Sequence, residues 1–555
     1  MDAWLPKSIL CLRDYSLFKF LHDLLAGVTV GFVALPLAMA FAIASGVLPQ
    51  AGIYCAIVTG FLISALGGSK TQIGGPTGAF VVVVFGIVAK YGVSGLFICT
   101  MMAGVLLVLL GVTKLGTVVK FIPRPIVVGF TNGIAVLIAS TQLKDFFGLD
   151  FERVPGDFFA RMKLVVASFH TLSPSATILA ASSLICLIFF ARYIKRIPGA
   201  IVVLFGATAA AALLQLPVET ITSRFGGIPR GLPELHIPAF QPGLLLTLLS
   251  PAVTVALLGA IESLMSAVVS DKMSNDKHNP NVELIAQGVA NIASPMFGGL
   301  PATGAIARTA TNIRSGAQTP VAGIIHSLTL LAILLFAAPL AGLIPLPALA
   351  AILFMVAYNM GDEEEIGELL KLSKPEIAVW LVTFALTVFA DLTVAVEVSM
   401  VLAAFLYIRN VTITTTVSRV TDDYVKDGMV HILQDKEIPD YATVFHIHGP
   451  FLFGATDKIS VITDQLDHLP PIVILRLRNM NAIDATGLLA LEELADRLHA
   501  SGRALILCGA RSQPGKMMQR AEFEQHVGRE NICPNILSAL QRAEEISRFA
   551  LAHRT

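Results

Sequence analysis

The chain is dominated by apolar stretches long enough to cross a membrane. They recur between Leu24 and Tyr407 with short loops between them. We count about twelve to fourteen that can cross, or nearly cross, a hydrocarbon core of roughly 30 Å. Only 14% of the residues are charged, against about 25% in soluble domains. The sequence therefore predicts an α-helical polytopic membrane domain. Its formal net charge of zero gives no reason to expect a nucleic-acid partner.

Basic residues in the loops predict how the chain is oriented. They precede the first span and return in later loops, and by the positive-inside rule they mark the cytoplasmic side. The residues used are Lys7, Arg13, Lys19, Lys114, Lys120, Arg124, Arg192, Lys195, Arg196 and Arg409. An even number of crossings then places both termini in the cytoplasm. The N-terminal segment lacks the pattern of a cleaved signal peptide, so we expect a multi-pass protein of a bacterial inner membrane.

The composition changes after Arg409 and indicates a second, soluble domain. We predict a transmembrane domain over residues 1–410, a linker over 411–439 and a small α/β domain over 440–555. Alternating apolar patterns predict three strands and one helix in the last of these. The strands are Ala442–His448, Ile472–Leu477 and Ala504–Cys508, and the helix is Ala485–His499.

Two segments of the membrane half share a pattern that ordinary spans lack. Each of Gly74–Phe80 and Gly298–Ala305 contains a Gly-Gly pair, a proline and then Thr-Gly-Ala, ahead of a helix-permissive run. Such interruptions at corresponding places in two halves are typical of inverted repeats with broken helices. Glycine and proline let the backbone leave the helix, and the following helix starts with free N–H groups. The sequence predicts two helix N-termini that face each other near the midplane, an arrangement that favours anions.

Two ionisable residues stand out within the apolar segments. Arg308 lies one turn into the helix after the second interruption, and Glu262 lies in the middle of another span, one turn from Ser266. A buried guanidinium is costly unless it meets an anion, and it can hold a carboxylate by two parallel bonds. The alternatives are that Arg308 reaches the surface or pairs with Glu262, and that Glu262 is protonated and hydrogen-bonded to a neighbouring helix.

Other kinds of site find little support in the sequence. The six cysteines show neither a CxxC motif nor paired spacing, and His446 and His448 have no third ligand at suitable spacing. No Gly-x-x-x-x-Gly-Lys loop is present to bind ATP. We therefore expect no metal site, no cofactor and no enzyme activity.

These motifs together resemble the sulfate permease (SulP) anion transporter family over nearly the whole chain. The resemblance rests on Gly75–Gly78, on Ala302–Gly316, on Glu262 and on a tail that is similar to a STAS domain around Ile483–Leu488. It implies fourteen spans in a seven-plus-seven inverted repeat, a core domain that moves against a gate domain, and a homodimer in the lipid membrane. It also implies an anion site between the third and tenth helices. The residues implied are Phe41, Thr77, Gly78, Ala307 and Arg308.

Departures from the family pattern bear on the substrate. Many sulfate-carrying members have glutamine at the position of Leu37 and serine at the position of Ala307, so the resemblance makes sulfate less favoured. The chain is most similar to the bacterial subgroup that carries C4-dicarboxylates such as succinate, fumarate and aspartate. Glu262 stands where sodium-coupled bicarbonate members have aspartate, which implies a proton as the coupling ion and Glu262 with Ser266 as coupling residues.

The resemblance therefore implies a proton-coupled secondary active transporter of C4-dicarboxylates. Sulfate or bicarbonate transport, a passive anion channel and a membrane-bound sensor remain alternatives. In the tail, Thr486 matches a phosphorylatable serine of anti-sigma-factor antagonists. We favour its interpretation as a plain helix N-cap, because threonine and aspartate commonly cap helices.

Overall fold

The computed structural model describes most of the chain. The described residues are 4–13, 15–116, 123–151, 154–194, 198–229, 231, 235, 242–361, 363–371, 373–390, 392–420 and 438–552. Three residues used to predict orientation, Lys120, Lys195 and Arg196, lie outside them, as do positions 421–437 of the predicted linker. The chain divides into two compact units, Met1–Ala403 and Ala404–Thr555.

Helices, most of them apolar, form most of the described part of the first unit, and the last of them contains the boundary between the units. In chain order they are α1 (Lys7–Leu12), α2 (Leu17–Ala44), α3 (Pro49–Leu66), α4 (Gly78–Val112), α5 (Arg124–Phe147), α6 (Phe158–Ala167), α7 (Pro174–Tyr193), α8 (Gly199–Leu213), α9 (Ile221–Phe225), α10 (Pro242–Ser274), α11 (Pro280–Met296), α12 (Ile306–Arg314), α13 (Val321–Gly342), α14 (Leu346–Met360), α15 (Glu363–Leu369), α16 (Lys374–Phe389) and α17 (Leu392–Thr414).

Many of these helices are long and apolar enough to cross a bilayer. Among the described residues, eight meet both criteria: α2, α3, α4, α5, α7, α13 and the larger parts of α10 and α17. α4 contains a break at Gly92, whose φ of 70° is outside helical geometry. A glycine accepts this conformation without the steric cost that a β-carbon adds. The predicted helical membrane domain is confirmed, and the number of fourteen spans stays a prediction.

The only two strands in the described part of the first unit are very short. β1 (Gly74–Gly75) and β2 (Thr303–Gly304) pair in antiparallel register, with Gly74 opposite Gly304 and Gly75 opposite Thr303. They lie within the two interrupted segments that the sequence indicated. Extended backbone inside a membrane protein needs hydrogen-bond partners, because lipid supplies none. The two broken segments provide part of those partners for each other.

A buried carboxylate fixes the segment that follows α12. Asp23 of α2 is fully buried and accepts hydrogen bonds from the backbone N–H groups of Gln318 (2.7 Å) and Thr319 (3.1 Å). It also accepts from the Thr319 hydroxyl at 2.5 Å and the Tyr15 hydroxyl at 3.2 Å. These bonds join the start of the chain to the turn between α12 and α13.

Asp23→Ala is therefore expected to destabilise the protein. It removes the acceptor from two backbone donors and one buried hydroxyl, and each such loss typically costs about 1–3 kcal/mol. The measurement is the melting temperature of the detergent-purified protein, with Asp150→Ala, at an exposed position, as the matched control. Equal melting temperatures for the two variants would show that the Asp23 contacts contribute little.

The second unit contains a five-stranded sheet in the order β3-β4-β5-β6-β7. Its strands are β3 (Thr416–Arg419), β4 (Ala442–His448), β5 (Ile472–Asn479), β6 (Ala504–Cys508) and β7 (Ile532–Cys533), and its helices are α18 (Ser460–Thr463), α19 (Ala485–Ala500), α20 (Ser512–Arg520), α21 (Glu524–Val527) and α22 (Ile536–Ala552). β3 is antiparallel to β4, and the other neighbours are parallel. The three predicted strands and the predicted helix are confirmed to within two residues.

Alternation along the central strands explains why helices cover both faces of this sheet. Side chains of successive residues point to opposite faces of a strand. Val473 and Leu475 of β5 pack in one apolar cluster with Leu491 of α19. Ile474 packs in the other cluster with Ala539 of α22. Both faces are therefore apolar and covered, as expected for parallel strands.

One part of the predicted linker belongs to this sheet. Thr416–Arg419 forms β3 and pairs with β4, although it falls within the predicted 411–439 linker. Thr416 is exposed and Val417 is buried, which suits an edge strand with one face on the core. The start of the predicted linker is therefore structured, since α17 ends at Thr414 and β3 begins at Thr416. The boundaries at 410 and 440 stay a prediction.

Candidate anion-binding site

The starts of α4 and α12 are held side by side. Each helix begins within three residues of one strand of the β1–β2 pair, α4 at Gly78 and α12 at Ile306. Among the described residues no side chain caps either N-terminus, because Thr77 makes no cap hydrogen bond and Ala305 has no polar group. The first N–H groups of a helix have no partner within the helix. Two uncapped helix ends with their partial positive charge thus lie in one region.

Buried polar side chains fix the backbone of the second broken segment. The amide of Asn291 in α11 donates to the carbonyl of Ala302 and accepts from its N–H, both at 2.8 Å. The Ser263 hydroxyl of α10 bonds to the Thr303 hydroxyl at 2.7 Å and accepts from the N–H of Gly304 at 3.1 Å. The start of α12 is therefore positioned by hydrogen bonds from α10 and α11.

Arg308 lies at this junction, and only one of its two terminal nitrogens makes a hydrogen bond to a described residue. The residue is 2% exposed, and its Nη2 donates a hydrogen bond to the carbonyl oxygen of Pro76, just before α4. Among the described residues Nη1 has no hydrogen-bond partner. Nη1 lies against Gly75, where an added β-carbon would collide with it. A buried cationic donor without an acceptor is costly, and an anion at this position would remove the cost.

The residues that the resemblance implied for the site fall around the same junction. Thr77 is the residue before α4, and its buried hydroxyl has no hydrogen-bond partner in the described part of the chain. Phe41 is close to Gly78, since a β-carbon built on Gly78 would lie 3.5 Å from the Phe41 Cε1 atom. Ala307 is the second residue of α12 and is exposed. That these residues bind an anion stays a prediction.

Both alternatives for Arg308 disagree with its surroundings. The side chain is buried rather than extended to the surface, and within the described ranges it makes no ion pair with Glu262. Glu262 has no hydrogen bond to a described residue, so the interpretation as a carboxyl bonded to a neighbouring helix finds no support there. The Ser266 hydroxyl lies 3.1 Å from that of Thr309, and a role of Ser266 in coupling stays a prediction. Thr309 in turn accepts from the N–H of Ile73 at 3.1 Å.

Sequence reasoning missed several residues that shape the junction. Asn291 and Ser263 position the second broken segment, and a polar residue within an apolar helix was the available signal for both. Ile138 of α5 and Met360 of α14 lie next to Gly78, at 3.3 Å and 3.1 Å from a β-carbon built there. An isoleucine and a methionine in apolar helices resemble any lipid-facing or core residue. Only their approach to Gly78 in the folded protein identifies them.

In the second unit, Asp484 and not Thr486 caps α19. One carboxylate oxygen of Asp484 accepts from the N–H of Gly487 at 2.8 Å, and the other accepts from the N–H of Phe453 at 3.0 Å. Thr486 is the second residue of the helix and is exposed. Its interpretation as an N-cap is therefore wrong, because aspartate two residues earlier occupies that place. Phosphorylation of Thr486 stays a prediction.

Comparisons with known proteins agree with this architecture. Residues 20–383 match the sulfate permease family and residues 434–539 match the STAS domain. The chain is 40% identical to the putative sulfate transporter YvdB of Bacillus subtilis, over 94% of this chain and 97% of that protein. It is 30% identical to the bicarbonate transporter BicA of Synechocystis, over 94% of each.

A solved structure extends the similarity to the fold of the whole chain. The murine Slc26a9 anion transporter, in its inward-facing state, superposes with a TM-score of 0.85 at 18% identity and covers 98% of this chain and 94% of its own. An identity this low supports the fold alone. The family match covers well over half of the chain, and the chain is therefore a multi-pass membrane protein of the sulfate permease family of anion transporters, with a C-terminal STAS domain.

Proposed function

We propose that this chain is a secondary active transporter that binds a small anion at the junction of α4 and α12. The observation that carries the proposal is Arg308 Nη1, a buried cationic donor that has no acceptor among the described residues and lies beside two uncapped helix N-termini. Each helix end contributes about half a positive charge. Together with the guanidinium, they supply roughly two positive charges, which suits an anion with one or two negative charges.

The substrate that the sequence predicts is a C4-dicarboxylate such as succinate, fumarate or aspartate. The relatives described above are named for sulfate and bicarbonate. The assignment of a dicarboxylate as the substrate is therefore supported only by residues of this chain. Leu37 and Ala307 are apolar where sulfate-carrying members often have polar side chains. A site with few side-chain donors is poorly suited to a tetrahedral oxyanion that needs acceptors satisfied on every face.

Uptake into proteoliposomes tests both parts of this proposal. We expect labelled succinate to accumulate and unlabelled fumarate and aspartate to compete with it more strongly than sulfate or bicarbonate. Faster uptake of labelled sulfate or bicarbonate would reject the dicarboxylate as the substrate, but it would still support anion transport. Failure to carry any of these anions, in protein that is folded and inserted, would reject anion transport at this site.

Proton coupling through Glu262 is the second part of the proposal. Glu262 lies within α10 beside Ser263, and Ser263 hydrogen-bonds to the second broken segment. Protonation of Glu262 would therefore change the charge next to Ser263, the residue that helps to position the start of α12. Coupling requires that proton and anion affect each other's binding, and that effect is necessarily reciprocal.

Glu262→Gln, which imitates the protonated carboxyl, is expected to separate exchange from accumulation. The variant should exchange substrate in counterflow at a rate near that of the wild type. It should lose concentrative uptake under an inward proton gradient, because the uncharged side chain no longer responds to that gradient. Accumulation equal to that of the wild type would place the coupling residue elsewhere. A passive channel would accumulate substrate in neither protein.

The homodimer and the cytoplasmic position of both termini stay predictions. Light scattering of the detergent-purified protein measures the first, and labelling of terminal cysteine tags in intact cells measures the second.

A further inference from the structure

An apolar surface faces the first residue of α4. A β-carbon built on Gly78 would lie 3.1 Å from Met360 Sδ, 3.3 Å from Ile138 Cδ1 and 3.5 Å from Phe41 Cε1. Ile138 is fully buried, and Phe41 is nearly so. Gly78 carries one of the first N–H groups of α4, which have no partner within the helix, so an anion that accepts from this group would bind beside these three side chains. We call Phe41, Ile138 and Met360 the apolar wall.

The apolar wall and the polar donors come from different elements. The donors belong to α4, α12 and the strands before them, whereas Ile138 lies in α5 and Met360 in α14, two helices that pack against each other. Neither side chain offers a hydrogen bond to an anion. An occupant is therefore bound through donors on one side and contacts hydrocarbon on the other.

We propose that Ile138 and Met360 are specificity-determining residues that select a carboxylate attached to a short hydrocarbon over an inorganic oxyanion. This inference rests on the proposed function of the junction. A tetrahedral oxyanion such as sulfate presents acceptors in every direction, and those that face the wall would lose water without gaining a donor. The carboxylate of an organic acid uses the donors, and its methylene groups lose no hydrogen bond against the wall.

The size of the preference follows from the burial of hydrocarbon. Each methylene group buried against the wall is expected to strengthen binding by about fourfold. Methionine suits such a position because its flexible, polarisable side chain adapts to occupants of different length. Met360 is only partly buried, so its replacement is compatible with folding.

Competition by a homologous series of acids measures the gain in binding per methylene group. Formate, acetate and propionate each compete against the labelled anion that the wild type carries best, in proteoliposomes that contain the full chain. For the wild type, the inhibition constant should fall about fourfold per added carbon. For Met360→Gln, which keeps the length of the side chain and makes it polar, the constants should become nearly equal and sulfate should compete better than before. Met360→Leu should keep the wild-type series.

Met355→Gln provides the matched control, because Met355 lies on the same helix but roughly 140° around it from Met360. It should leave the series unchanged. Ile138→Thr provides a second test of the wall and should also flatten the series. The proposal is overturned if the wild type shows no dependence on chain length, or if Met360→Gln and Ile138→Thr both keep the wild-type dependence. Absence of any labelled uptake by the wild type would instead reject the proposed function itself.

Discussion

Arg308→Lys is expected to lower uptake by about 10- to 150-fold, the equivalent of losing one hydrogen bond to a charged group. The guanidinium has two tasks that lie on different nitrogens. Nη2 holds the carbonyl of Pro76, and Nη1 is available to the anion. A lysine ammonium is a single point and cannot reach both positions from one side-chain conformation. Initial rates of labelled uptake by the two proteins, at equal reconstitution, measure the effect.

Arg314→Lys is the matched control for this variant. Arg314 lies in the last turn of the same helix and is exposed, so the same chemical change there should leave uptake near the wild-type rate. If Arg308→Lys transports as fast as Arg314→Lys, Arg308 is not a ligand of the anion.

Gly75→Ala is expected to abolish measurable uptake without unfolding the protein. Gly75 has a φ of 153°, in a region that side-chain-bearing residues rarely adopt. A β-carbon there would also collide with Arg308 Nη1. The methyl group would take the place beside the guanidinium and displace it from the junction. Uptake and anion binding by the purified variant measure the outcome.

Gly86→Ala is the control for the loss of a glycine, because Gly86 lies within α4 and a β-carbon there meets no atom of a described residue within 4 Å. Alanine also has a higher helix propensity than glycine, so this variant should be at least as stable as the wild type and fully active. Normal uptake by Gly75→Ala would mean that the close approach of Arg308 to Gly75 is not needed for transport.

The broken helices could be predicted because their signal is local. Gly-Gly, proline and Thr-Gly-Ala within a few residues interrupt a helix whatever surrounds it, and this pattern located the segments that contain β1 and β2. The sequence did not indicate that the two segments pair, since the register between Gly74 and Gly304 depends on where the whole domain places them. The strands and the helix of the second unit were similarly predictable from the period of apolar residues along short stretches.

The sequence identified the buried ionisable residues more readily than it identified the groups that they contact. The sequence singled out Arg308 but suggested a guanidinium free to hold a carboxylate by two bonds, whereas Nη2 is already used by Pro76. The sequence also allowed an ion pair between Arg308 and Glu262, and no such pair is present among the described residues. Such contacts join positions far apart in the chain, and apolar periodicity carries no information about them. Ile138 and Met360 were missed for the same reason.

The central claim is that the anion binds where α4 and α12 begin. The most direct measurement is an electron cryomicroscopy or crystal structure of the detergent-purified chain at saturating substrate, repeated with a bromine-labelled dicarboxylate so that the position of the anion is marked by a heavy atom. The account predicts density in contact with Arg308 Nη1 and the N–H of Gly78, at about 3 Å from each donor. Density confined to another region, with Arg308 Nη1 still lacking an acceptor, would contradict it.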